Sequence, residues 1–449
     1  MTRCSARNCE GLVRRDFLRI GSAALFGLGL PQLLQLEAAA RSAAGNRADG
    51  RKARSVILLW LSGGPSAIDM WDLKPDAPDG IRGEFKPIAT RVSGLRICEY
   101  LPRVAQVMDR CAVVRSLGHT IPEHGLATTF MTTGNRPTPV LRYPALGSLV
   151  ARLSSATPGA PPLVSFHHSR DVGVGSVAGY LGPAYDPFEL EVTVVPGRPP
   201  QAVVDTRGVV LPADFPLEQL ENRNDLVRRF DRAFDAAERD AELAGGLDTF
   251  HRQALDILRS GRTRDALDLR RERASVRERY RQTEFGQGCL AARRLVEAGV
   301  RFVTVSTGVV WDTHGQNFSQ LRTQLLPPLD QALSALIQDL DDRGMLDSTI
   351  VYCAGEFGRT PQINKNAGRD HWARSMAVVL AGGGFRRGYV HGSTDAQGMA
   401  PASHPCTPDD VAATIVHQLG IDPQQELQTP SGRPVRLFRE GNVLSGLIG

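Results

Sequence analysis

The sequence predicts an α/β fold, a central and mostly parallel sheet sandwiched by helices, and three observations carry that prediction. Short continuous apolar runs recur, among them Ser55-Val-Ile-Leu-Leu-Trp-Leu61 and Thr349-Ile-Val-Tyr-Cys353. A run apolar at every position is a strand buried on both faces, as in parallel sheets covered by helices. A helical pattern, Leu290-Ala-Ala-Arg-Arg-Leu-Val-Glu-Ala-Gly299, feeds directly into the run at 300–305, as a crossover helix does. His, Asp and Glu collect in the loops after these runs, and open α/β sheets build their sites at the carboxyl ends of strands.

Composition agrees. The chain has 449 residues, 42% hydrophobic and 22% charged. At roughly 150 residues per domain that is three domain lengths, which one large α/β domain also fills. Such a composition excludes collagen, coiled coil and wholesale disorder. Its 53 Lys+Arg against 48 Asp+Glu leave a net charge of +5, too small to argue for a nucleic-acid partner.

Taken in order, residues 1–40 read as an export signal. Val13-Arg14-Arg15-Asp16-Phe17-Leu18-Arg19 precedes the apolar IGSAALFGLGLPQLLQL and the small residues Ala38-Ala39-Ala40. The apolar stretch is short and diluted by Gly and Pro, which makes a cleavable signal and not a membrane span. The paired arginines followed by Phe-Leu resemble a twin-arginine (Tat) signal. That resemblance implies a periplasmic or extracellular protein that passes the Tat translocase already folded. Residues 41–54, RSAAGNRADGRKAR, read as a flexible linker, and 55–449 as the folded domain. No later run of 18 uncharged apolar residues exists, so no stable membrane span is expected. Two of the seven cysteines, Cys4 and Cys9, lie in the leader. The scattered remainder make neither a zinc ribbon nor a disulfide framework, Cys98 and Cys111 being the nearest pair.

The first strand ends in Ser62-Gly63-Gly64-Pro65 and leads to Ile68-Asp69-Met70-Trp71-Asp72. Further strands are expected at 111–115, 300–305, 349–353 and 377–380. Between 217 and 299 the texture becomes a charged helical insertion, with Leu226, Phe230 and Phe234 giving one buried stripe. Its arginines alternate with acids at helical spacing, the pattern of a solvated, salt-bridged surface.

The loops hold the chemistry. Trp311-Asp312-Thr313-His314-Gly315 follows the strand at 300–305, and alternate positions put Asp312 and His314 on one side, able to reach one ion. Glu356 ends the strand at 349–353. Asp370 and His371 precede the strand at 377–380, and His391 follows a Gly-rich turn. A mixed carboxylate–imidazole set suits divalent ions, which polarise a phosphoryl-type oxygen and lower the pKa of bound water. No Gly-x-Ser-x-Gly elbow occurs, and Gly382-Gly383-Gly384 lacks the spacing and the Lys of a phosphate loop.

These residues, with their flanks, resemble a large family of Tat-exported bacterial proteins described as a domain of unknown function or as sulfatase-like. That family lies within the alkaline phosphatase and sulfatase superfamily. The resembling segments are GGPSAIDMWDLKPDAP (63–78), HGLATTFMTTG (124–134), ARRLVEAGVRFV (292–303), WDTHGQNF (311–318), GEFGRTPQIN (355–364), GRDHW (368–372) and TPDDVAATIVHQLGID (407–422). The resemblance implies a hydrolytic site with one or two divalent ions, zinc, manganese or calcium, at the strand ends. It implies Asp69 or Asp72 as the carboxylate after the first strand, and Asp312 with His314 as a pair on one metal. Glu356, Asp370, His371 and His391 complete the implied ligands.

The sequence departs from sulfatases at the nucleophile. Aligning Gly134 with the glycine that ends their nucleophile helix puts His124 where their Cys or Ser stands, and the Cys-x-Pro-x-Arg signature for formylglycine is absent. His124 is then a metal ligand, a covalent nucleophile or a base for a metal-bound water. Arg359 or Arg369 would neutralise a substrate anion. The expected function is a metal-dependent hydrolase of phosphate or sulfate esters, with a sulfated or phosphorylated polysaccharide among the substrates that would fit. The alternative is a non-catalytic envelope protein of the same fold that binds a polysaccharide or a protein.

Overall fold

The structure, a computed structural model, describes residues 53–155, 157–166, 178–195, 197, 201–205 and 261–449. The signal at 1–40, nearly all of the linker and 217–260 of the charged helical stretch lie outside the described residues.

Nine strands form one sheet: β1 (Ser55–Trp60), β2 (Cys111–Leu117), β3 (Leu163–Phe166), β4 (Phe188–Val195), β5 (Gln201–Asp205), β6 (Phe302–Ser306), β7 (Thr349–Ala354), β8 (Met376–Ala381) and β9 (Tyr389–His391). Their order is β9-β2-β8-β7-β1-β6-β3-β4-β5. Strands β7, β1, β6, β3 and β4 run parallel, whereas β8 is antiparallel to both of its neighbours and β5 to β4.

The continuous apolar runs are explained by two cores. Val56, Leu58 and Trp60 of β1 belong to one buried cluster, and Ile57 and Leu59 to another. Successive side chains of a strand point to opposite faces, so a sheet covered twice needs both sets apolar. Five helices, α1 (His124–Thr133), α2 (Leu146–Leu153), α3 (Glu284–Glu297), α4 (Leu326–Asp342) and α5 (Pro408–Gln418), supply the cover. One core takes residues of α3 and α4, the other residues of α1, α2 and α5. The sheet is therefore mostly parallel and sandwiched by helices, as predicted. Helix α3, at the end of the charged stretch, is a crossover element whose buried side includes Phe285, Leu290 and Leu295. Its N-cap, Thr283, accepts the amide of Gly286 at 3.1 Å. Cys98, Cys111, Cys289, Cys353 and Cys406 are all buried and free, so Cys98 and Cys111 are not bridged.

Topology positions the site. Leu59 lies level with Val305 on one side and Cys353 on the other, so β6, β1 and β7 end together. The loops after them emerge side by side. Because β8 runs the other way, it starts where β7 stops, and the intervening chain stays at that end. A two-stranded ribbon, Gly358–Arg359 against His371–Trp372, folds there. β2 points the same way as β7, so its exit leads to the start of α1.

Candidate metal centre

His124 opens α1, held by a cap rather than by its own side chain. Glu123 accepts the amides of Gly125 and Leu126 at 2.9 and 2.8 Å, and these bonds hold its carboxyl below the usual range. Asp312 and His314 come from the loop after β6, Glu356 from the end of β7, and Asp370 and His371 from the ribbon. Gly63, at φ 110°, lets the β1 loop run against the β6 loop; a Cβ there would lie 2.6 Å from the amides of Trp311 and Asp312. Gly368 allows the matching approach from the ribbon, because a Cβ would meet the carbonyl of His314 at 2.0 Å.

Three imidazoles surround one carboxylate. His314 Nε2 and His371 Nε2 lie 3.1 and 3.2 Å from Asp312 Oδ1, and His124 Nε2 lies 3.5 Å from Oδ2. The Nε2 atoms of His314 and His371 are 2.9 Å apart. Each ring is tied at its other nitrogen: His124 Nδ1 to Glu356 Oε1 at 2.7 Å, His314 Nδ1 to Asp370 Oδ1 at 2.7 Å, and His371 Nδ1 to the carbonyl of Pro122 at 2.7 Å. Carbonyl and carboxylate oxygens only accept, so each Nδ1 carries the hydrogen. In neutral rings that leaves the Nε2 lone pairs of His314 and His371 facing each other.

Such a set fits a cation. His124, Asp312 and His371 offer ligand atoms all within 4.8 Å of one another, a group able to hold a metal ion. Donors at about 2.0–2.1 Å from one ion stand about 3.4 Å apart at tetrahedral angles, close to the 2.9–3.5 Å spacings of Asp312 to the three imidazoles and of His314 to His371. Imidazoles whose second nitrogen is held by a carboxylate or carbonyl are the usual supporting shell of metal ligands. Glu356 adds a second indication, for its Oε2 is buried without a hydrogen-bond partner while Oε1 takes His124 and the amide of Gly63.

Electrostatics follow from the contacts. Hydrogen bonds to Asp312 and Glu356 push His124 up to about 9. Burial alone would raise Asp312, but bonds from His124, His371 and Arg359 reverse this and hold its carboxyl well below the usual range. Asp370 is lowered mainly by its bond to His314. Phe357 packs against the rings of His371 and His124, with centroids 4.4 and 4.9 Å away, and walls one side of the group.

A family model described as a protein of unknown function, DUF1501, matches residues 53–448. The chain belongs to that family. No curated protein matches it. Among solved structures, it is similar to a sulfatase from Pseudoalteromonas sp., with 12% identity, a TM-score of 0.38, and 88% of this chain and 72% of that one covered. It is also similar to a glycosaminoglycan-metabolism protein of Bacteroides thetaiotaomicron, at 9% identity, TM-score 0.39, and 82% and 73% coverage. A phosphonate monoester hydrolase from Silicibacter pomeroyi gives 12% identity, TM-score 0.32, and 82% and 73% coverage. Identities this low transfer none of their chemistry to the DUF1501 chain.

Several expected site residues stand elsewhere. Arg359 does not face a substrate anion. Its side chain is fully buried, and it donates to the carbonyls of Gly64 (2.8 Å), Arg369 (3.1 Å) and Gly63, and to Asp312. It binds the β1 and β6 loops together and anchors Asp312. Asp69 is not beside the imidazoles either. It forms a buried two-point ion pair with Arg369, at 2.7 and 2.9 Å, and accepts from Ser66 and Asn317. Arg369 is thereby occupied. Asp72 pairs with Lys74 and Arg115. His391 sits in the edge strand β9, where its ring packs beside those of Tyr389 and His404. Glu356 and Asp370 are at the centre, as acceptors for imidazole Nδ1 atoms.

Sequence reasoning missed the Pro122 carbonyl and Asn364. Asn364 Nδ2 donates to the carbonyl of His314 at 2.9 Å and to Asp370 Oδ1 at 3.2 Å, and its Oδ1 accepts the amides of Asn366 and Gly368. Its place at the head of an Asn-Lys-Asn-Ala-Gly turn was the available signal.

Proposed function

We propose that this DUF1501 chain is a divalent-metal-dependent hydrolase of an anionic ester, with the ion held by His124, Asp312, His314 and His371. The observation that carries the reading is three imidazoles, each fixed at Nδ1, whose Nε2 atoms gather around a single carboxylate. A set rich in imidazole favours zinc or another first-row ion over calcium, which takes oxygen. When bound, the ion supplies a Lewis acid for the ester oxygen and an acidified water.

The chain's own residues do the rest. Glu356, Asp370 and the Pro122 carbonyl orient the imidazoles and fix their tautomers. Arg359 holds Asp312 in place and keeps it ionised. Phe357 excludes water from one side of the rings. His124 serves here as a ligand, which accounts for the missing Ser or Cys nucleophile: water would attack the phosphate or sulfate directly, the bond to the alcohol oxygen would break, and the alcohol would leave carrying a proton from that water. The same reading includes export by the Tat route that Arg14 and Arg15 address, to the periplasm or beyond.

Turnover of nitrophenyl phosphate and nitrophenyl sulfate by the purified protein tests it. Activity that needs a divalent ion and disappears in His371→Ala, with the fold intact by circular dichroism, is the expected result. A protein that binds the ion but turns over neither class would favour the envelope-binding alternative.

A further inference from the structure

His119 lies in the connection that joins β2 to α1 and takes no part in the ligand set. It is a buried residue, 4% exposed. Both of its ring nitrogens are committed. Nδ1 accepts the amide of Ile121 at 3.2 Å, and Nε2 lies 2.8 Å from the carbonyl oxygen of Glu356. An amide N–H only donates and a carbonyl only accepts, so the hydrogen is on Nε2 and the ring is neutral. Burial pulls the imidazole below its ordinary value, in agreement. This is the opposite tautomer to the three imidazoles of the centre, and it leaves no lone pair for an ion.

The bonds of His119 join the pieces that fix two of the four ligands. Ile121 precedes Pro122, whose carbonyl holds His371 at Nδ1, and the side chain of Glu356 holds His124 at Nδ1. The amide of His119 donates to the carbonyl of Ala373, two residues beyond His371, at 2.8 Å. The ring packs T-shaped with Phe130 of α1, centroids 5.7 Å apart, and Ile121 packs against Ala127, Phe357 and Ala373. His314 is held from a different quarter, by Asp370 and Asn364. We propose that His119 is a positioning residue of the metal centre, a neutral strut between the start of α1 and the end of β7 that sets His124 and His371 for one ion. The inference rests on the metal-dependent hydrolase reading and adds a residue that touches neither ion nor substrate.

Zinc affinity of the full chain, measured by competition with a chromogenic chelator, tests this. His119→Ala is expected to weaken zinc binding by about tenfold or more, the scale on which supporting partners of metal ligands act. Double-mutant cycles separate positioning from a plain loss of stability. The loss should overlap with that of Glu356→Ala, so that the pair costs less than the product of the two factors. It should multiply with that of Asp370→Asn, which acts through His314. His119→Gln can restore the donor to the Glu356 carbonyl and should recover part of the affinity. His119→Asn keeps only the acceptor for Ile121, should still bind zinc more weakly than the wild type, and carries the test if the alanine variant does not fold. Zinc held at wild-type strength by folded His119→Ala or His119→Asn, or a loss that simply multiplies with that of Glu356→Ala, would overturn the positioning role and leave the hydrolase reading standing. A folded wild-type protein that binds no zinc would overturn both.

Discussion

Asp370 and Asp69 are both carboxylates within reach of cationic or imidazole partners, yet they do different work. Asp370 holds His314 by its Nδ1 and is half-exposed; Asp69 holds Arg369 where water cannot reach. Asp370→Asn should therefore weaken metal binding by about 10–100-fold while leaving stability nearly unchanged, measured by competition with a chromogenic chelator. Asp69→Ala should do the reverse. It strands a buried guanidinium, costing about 3–5 kcal/mol in denaturant unfolding, and at saturating metal the stoichiometry should stay that of the wild type. The Trp-Asp-Thr-His spacing made Asp312 and His314 legible as one group, because alternate positions of an extended loop share a side. What was not legible was whether Glu356 and Asp370 face the ion or face an imidazole. That depends on how loops from β6, β7 and the ribbon meet, and no local spacing encodes it.

Among the elements, α4 does more than cover the sheet. Asp330 on it accepts the amides of Arg103 and Val104 at 2.9 and 2.8 Å, capping the short helix Pro102–Ala105 from across the fold. Burial pushes this carboxyl up to about 6, against the pull of those amides. A folded-state value above the unfolded one means the folded protein holds the proton more tightly. The group thus supports stability below about pH 4, and that contribution is lost as the pH rises toward 6. After allowance for screening, this is on the order of 1–2 kcal/mol. Asp330→Asn keeps an acceptor without the charge, so unfolding curves from pH 4 to 7 should show a smaller decline than the wild type's. The strands legible in sequence were the five continuous runs at the centre of the sheet. β3 is only four residues long, and β9 only three, too short for a period to show. β4 alternates exposed and buried positions because it lies toward the sheet margin, and β5 lies at it; neither carries the two-sided apolar signature.

For the whole molecule, an ion at this centre would tie the start of α1, the loop after β6 and the ribbon before β8 into one unit. Ligand binding to the folded state alone stabilises by about 2.7 kcal/mol at a hundredfold excess over the dissociation constant. Chelation should accordingly lower the melting temperature of the wild type and leave that of Asp312→Ala unmoved. The three-layer architecture was open to the sequence because both cores write themselves into every central strand. The grouping of His124 with residues nearly two hundred positions away was reachable only through the resemblance, and even then as one role among three. The measurement that bears most directly on the centre is metal content by mass spectrometry, on wild type, His371→Ala and Asp312→Ala purified without chelator. About one tightly held divalent ion per chain in the wild type, and none in either variant, is the expected result. A folded wild-type protein without a stoichiometric ion, or variants that keep the full amount, would contradict the assignment of His124, Asp312, His314 and His371 as its ligands.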